Sequence, residues 1–205
     1  NASPEPNATQ IGRRSLRNTV LGYLSETSDS VALAQVQYAN ADNMTDQLAA
    51  LGLLVDHGGA AAQAALDDFY QRFDGQDLVI DKWFAIQARS SHEATLEQVN
   101  ALTKHPAFKL TNPNRLRSLI GVFAAGNQRH FHSEDGAGYK LLIDTVITLN
   151  SLNPQTAARL LGPMRQWRRF EPTRREAMAG ELRRLLEAPD LSRDVFEVAT
   201  KSLKN

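Results

Sequence analysis

Histidines and carboxylates gather at one place in this chain, the run HFHSED at residues 130–135. Such side chains can hold a metal ion or move protons, so their spacing decides what the run can do. A zinc protease takes two histidines four residues apart on one helical face, with a glutamate between them. His130 and His132 are only two apart, and on a helix they would diverge by about 160–200°. A loop could still gather them with Glu134 and Asp135 around a metal, but a hydrogen-bonded corner is the simpler reading. No phosphate-binding loop, dinucleotide fingerprint, serine elbow or paired-cysteine site occurs, and cysteine is absent. Disulfides and thiolate chemistry are excluded, and catalysis by this chain alone is not expected.

A second kind of chemistry is written in arginines. In TNPNRLRSLIGVF, residues 111–123, Asn112 can cap a helix and Pro113 fits its first position, while Leu116, Leu119, Ile120 and Phe123 make one apolar stripe. Arg115 and Arg117 therefore fall in the first turns, where the helix dipole disfavours a cation by about 0.3–1 kcal/mol. Arg159, soon after a helix start at Pro154, has a similar setting. Guanidinium forks beside helix N-termini suit a carboxylate or phosphate, so an external anion would account for them. The internal alternative is a salt bridge to Glu134 or Asp135. Further on, MRQWRRFEPTRRE (164–176) interleaves arginine with Trp167 and Phe170, the make-up of a single-strand nucleic-acid surface. Yet Leu160, Leu161, Met164, Trp167 and Phe170 recur at helical spacing, which favours rings in the core and arginines on a solvated face.

The elements that must position these residues read as helices. Strand-like alternation is nowhere sustained, whereas spacings of three and four recur throughout. In DNMTDQLAALGLLVDHG, Asp42 or Asn43 caps a helix carrying Met44, Leu48, Leu51 and Val55, and Gly58-Gly59 ends it. Further helices are expected near 11–25, 29–39, 60–73, 77–90, 92–104, 113–125, 136–150, 154–161, 163–169, 173–187 and 191–203. Ser90 with Glu93 has the spacing of a capping box, and Asn112-Pro113, Asn153-Pro154 and Glu171-Pro172 mark helix starts. The expectation is an all-α fold, an irregular superhelical array of about 11–12 short antiparallel helices of the HEAT or armadillo kind, without a fixed sequence period.

Composition narrows the partners. The 205 residues carry 23 basic and 23 acidic side chains, but residues 155–185 hold eight arginines against three glutamates, so the balance is local. No apolar run approaches the roughly 18 residues of a membrane span. Neither nucleic acid nor membrane is expected as a partner, and a cytoplasmic location is. Residues 1–10, NASPEPNATQ, read as a linker or tag remnant, with 11–205 as a single helical domain.

At these same segments the sequence resembles the C-terminal helical domain of the bacterial aminopeptidase N family, the zinc-dependent alanyl aminopeptidases of the gluzincin type. The matching stretches are QYANADNMTD (37–46), DKWF (81–84), NPNRLRSLIGVFA (112–124), FHSEDGAGY (131–139) and LNSLNPQTAARLLGP (149–163). They occur in family order, whereas residues 51–73 share only general character. The resemblance implies an enzyme of four domains, with HExxH and a downstream glutamate holding zinc in a separate catalytic domain. This domain would bind no cofactor itself. Its implied partners are the catalytic domain of the same polypeptide and the peptide substrate, whose distal end Arg117 and Arg159 would meet, with Asn114 or Arg115 as further candidates. The alternative is a helical-repeat scaffold that binds a peptide or protein and has no enzymatic role.

Overall fold

The computed structural model describes residues 4–24 and 30–204, and among these the chain is helical, with no strand. It forms two compact units, Asn1–His92 and Glu93–Asn205. The first contains α1 (Ala8–Leu24), α2 (Ser30–Asn40), α3 (Met44–His57), α4 (Gly59–Arg72) and α5 (Asp77–Arg89). The expected end of the first helix at 25 and start of the second at 29 lie outside the described residues.

Helix α3 organises this unit, packing on each of the other four helices. Asn43 is its cap, its side chain accepting from the Asp46 amide, and Ala50, Leu51, Leu54 and Val55 are buried along its length. Burying each such leucine is worth about 1.5–3 kcal/mol. The helix stops at Gly58, whose φ of 74° is open to glycine and strained for other residues, and whose N–H bonds Leu54 O. The Tyr38 hydroxyl donates to Ala65 O, and the Trp83 indole N–H to Leu66 O, tying α2 and α5 to α4.

The expected capping box at Ser90 does not form. The Ser90 hydroxyl reaches back to Asp56 Oδ1 at 2.8 Å, and that carboxylate also accepts from the Ser91 amide at 2.7 Å. With Ser90 held against the end of α3, the next helix, α6 (Thr95–Leu102), begins later than expected, behind Ala94 and without a side-chain cap.

Beyond α6, the second unit contains α7 (Pro113–Leu116), a π-helical turn (Arg117–Gly121), α8 (Val122–Gly126), α9 (Gln128–Phe131), α10 (Ala137–Asn150), α11 (Pro154–Leu160), a 3-10 helix (Gly162–Arg169), α12 (Pro172–Leu186) and α13 (Arg193–Lys204). Asn112, Asn153 and Glu171 cap their helices as expected, each accepting from backbone amides just beyond the following proline. Helix α10 packs on α11 and α12 and buries Tyr139, Leu142, Ile143, Val146 and Leu149. Gly138 lets it lie against α9: a Cβ there would stand 2.5 Å from Phe131 O. Two expectations differ in detail. The single helix at 113–125 is interrupted by the π turn, and 163–169 winds as a 3-10 helix.

Candidate functional site

The arginine-bearing helix start at 112–121 separates its charged residues by depth. Asn112 Oδ1 accepts from the amides of Asn114 and Arg115, so the exposed N-terminal donors are partly satisfied by the cap itself. Arg115 points inward and is only 3% exposed, close enough to His105 that its charge, after burial, lowers the His105 pKa. Arg117 faces solvent, and its guanidinium donates to Asn114 Oδ1 at 3.3 Å. Two of the sequence candidates, Arg117 and Asn114, thus meet at the surface, while Arg115 belongs to the interior of the folded unit.

The π turn sets how Arg117 leaves the helix. Val122 N–H bonds Arg117 O, five residues back, which widens the backbone at this point. Gly121 lies beneath the arginine stem; a Cβ there would sit 3.3 Å from Arg117 Cγ. Sequence reasoning missed both features, because RLRSLIG keeps a regular apolar stripe and carries no local mark of the extra residue.

Arg159 projects to solvent from α11. Neither it nor Arg117 forms an ion pair among the described residues, so the internal salt bridge to Glu134 or Asp135 is not made. Glu134 faces Arg174 at 3.5 Å, and Asp135 accepts from the Ser133 hydroxyl and the Ala137 amide, which together hold its pKa down.

The HFHSED run is a hydrogen-bonded corner. His132 Nδ1 lies 2.9 Å from the Tyr139 hydroxyl, its ring stacks on Phe170 at 4.3 Å, and its carbonyl accepts from Arg174 Nε. Burial, and secondarily the Arg174 charge, lower the His132 pKa; burial raises that of Tyr139 to about 12. Among the described residues no group of three histidines or carboxylates is placed to hold a metal. His132 is engaged by Tyr139, Asp135 by Ser133 and Glu134 by Arg174, while the zinc that the family resemblance implies belongs to a separate catalytic domain.

In the basic segment the rings are held inward. The Trp167 indole donates to Ser202 O, and Phe170 lies on His132. Arg168 stacks over Trp167 and donates to Ser202 O and Leu203 O, at the end of α13. Arg174, Arg183 and Arg184 pair with carboxylates. Rings occupied in this way are not a free stacking surface for bases.

Comparison with known proteins agrees with this architecture. A family model described as a domain of unknown function (DUF3458_C) with ARM repeats matches residues 1–204. Aminopeptidase N of Caulobacter vibrioides is 42% identical over 198 residues, covering 96% of this chain and 23% of that protein. Aminopeptidase N of Haemophilus influenzae is 43% identical over 95% of this chain and 22% of its own length; that of Escherichia coli is 41% identical over 94% and 22%. Among solved structures, aminopeptidase A of Legionella pneumophila in complex with aspartic acid superposes with a TM-score of 0.92 at 29% identity, over all of this chain and 25% of its own. The chain thus spans about a quarter of the relatives it matches. With its helices throughout and its match from end to end, it belongs to the DUF3458_C family of ARM-repeat domains, the helical portion shared with bacterial aminopeptidase N.

Proposed function

We propose that this chain is the non-catalytic C-terminal domain, residues 11–205, of a cytoplasmic zinc aminopeptidase that removes N-terminal residues from peptides. In that reading it closes the active-site chamber, gates access to it and contacts the distal end of the peptide. Zinc, held by the catalytic domain of the same polypeptide, would polarise the scissile carbonyl and activate water there. The residues here supply position and charge.

The observation that supports the reading is the contrast among arginines. Arg174, Arg183 and Arg184 are neutralised by carboxylates of their own unit, whereas Arg117 and Arg159, like Arg165, Arg169 and Arg175, stand at the surface without one, and their place in the family stretches RLRSLIG and AARLL singles these two out. A guanidinium in that state binds a peptide carboxylate or carbonyl without first breaking an ion pair. Asn114, bonded to Arg117, steadies the fork; Arg115, buried, acts through the helix it anchors.

The test is kinetic. Arg117→Ala and Arg159→Ala in the full enzyme should raise KM for tri- to pentapeptides about tenfold, the scale of one charge-assisted bond, and leave a chromogenic alanine amide little changed. Equal effects on long and short substrates would remove both arginines from the distal contact. Tight peptide binding by the isolated chain would favour the scaffold reading instead.

A further inference from the structure

Two aspartate-glycine bonds occur in the sequence, Asp74-Gly75 and Asp135-Gly136. Such a bond is open to spontaneous rearrangement of the main chain, because glycine has no Cβ to shield its amide nitrogen from the aspartate carboxyl. Both lie in turns between helices, and both glycines have a positive φ, 77° and 70°. Their surroundings are opposite. The Asp135 carboxylate accepts from the Ser133 hydroxyl and the Ala137 amide, and the Gly136 N–H itself donates to Ser133 O at 3.1 Å. The Ser133 bond first, and the Ala137 bond second, hold the Asp135 pKa down, which depletes the neutral carboxyl. A Cβ at Gly136 would meet Ala177 at 3.4 Å. Carboxyl and nitrogen are both occupied there.

Asp74 and Gly75 are the central residues of the turn between α4 and α5, closed by the Gln76 N–H on Phe73 O at 3.0 Å. Both are exposed, and a Cβ at Gly75 would meet nothing within 4 Å. Among the described residues no ion pair or side-chain hydrogen bond fixes the Asp74 carboxylate: the nearby cation, Arg72, is turned to Asp68 at 3.3 Å and lies over the Phe73 ring.

We infer that Asp74-Gly75 is a modification site at which the main chain rearranges spontaneously to isoaspartate, and that hydrogen bonding holds Asp135-Gly136 back from the same reaction. The Gly75 nitrogen attacks Cγ of the protonated Asp74 carboxyl; the N–Cγ bond forms, the Cγ–OH bond breaks, and water leaves with the amide proton. A second water then opens the cyclic imide. Opening at the Asp74 main-chain carbonyl leaves the chain running through Cγ, one methylene longer, with no net change in mass. The α4–α5 turn loosens, while the Trp83 indole, bonded to Leu66 O, keeps α5 on α4.

The inference is independent of the proposed function. For its test, the full-length polypeptide is aged while folded in mild acid. Isoaspartate is then methylated by an isoaspartate-specific methyltransferase with labelled S-adenosylmethionine, and the label is located by fragmenting proteolytic peptides. Label at Asp74 should exceed that at Asp135 at least roughly tenfold, since three hydrogen bonds must open before Asp135 can react. Asp74→Glu, whose longer side chain closes the ring poorly, should remove the label from its peptide, and Ser133→Ala should raise it at Asp135. In urea the two bonds should react alike. Equal label at both positions in the folded protein, or none at Asp74, would overturn the inference. So would a difference that persists in urea, since sequence and not fold would then be its cause.

Discussion

Asp46 shows how one carboxylate can join two helices, α1 and α3. It is 1% exposed, accepts from Arg17 at 2.9 Å and from the amides of Asn18 and Asn43, and its own N–H is received by the Asn43 cap. Asp46→Ala leaves three donors without their acceptor, and thermal or urea unfolding should register a loss of about 1–3 kcal/mol. The two perturbed histidines set a pH dependence. The pKa values of His132 and His105 both lie below the ordinary 6.5, chiefly through burial, with Arg174 and Arg115 respectively adding to it. The unfolded chain therefore binds more protons than the folded one in mild acid. Their contribution is complete above about pH 6.5 and is lost as pH falls through the lower folded values. The urea midpoint should decline from pH 8 to pH 5, less steeply in His132→Gln; an unchanged slope in that variant would assign the dependence elsewhere.

At the level of elements, stability depends on how helices begin and end. Asn153 accepts from the Thr156 amide ahead of α11, so Asn153→Ala should cost about 1 kcal/mol in unfolding free energy. Gly58→Ala should cost more. The positive φ alone adds roughly 1–3 kcal/mol, and the new methyl would overlap the His92 imidazole. The π turn makes a finer point: with Gly121→Ala, the added Cβ presses on the Arg117 stem while the fold is retained. Peptide KM in the full enzyme should then shift in the direction of Arg117→Ala, and near-native circular dichroism would separate this from unfolding.

For the molecule as a whole, the proposed function predicts that a chelator leaves the thermal transition of this chain unchanged and that the chain alone does not hydrolyse an alanine amide, while the full-length enzyme loses activity on the same treatment. A chelator-sensitive transition in the short chain would point back to the His130–Asp135 corner. Much of the fold was legible because helical periodicity, proline at helix starts and asparagine caps are local signals: Asn112 and Asn153 act where their spacing said they would, and of the two caps offered at 42–43 it is Asn43 that serves. The family too was legible, from fragments such as NPNRLRSLIGVFA and FHSEDGAGY in their order along the chain. Tertiary structure decided what periodicity cannot carry. It turned Arg115 inward and Arg117 outward from adjacent turns, inserted the π turn beneath an unbroken apolar stripe, and drew Ser90 away from its expected cap toward Asp56. Each of these depends on a residue distant in sequence or on a fraction of a helical turn. A pattern of residue types fixes which face of a helix is apolar; only packing decides which neighbour that face meets.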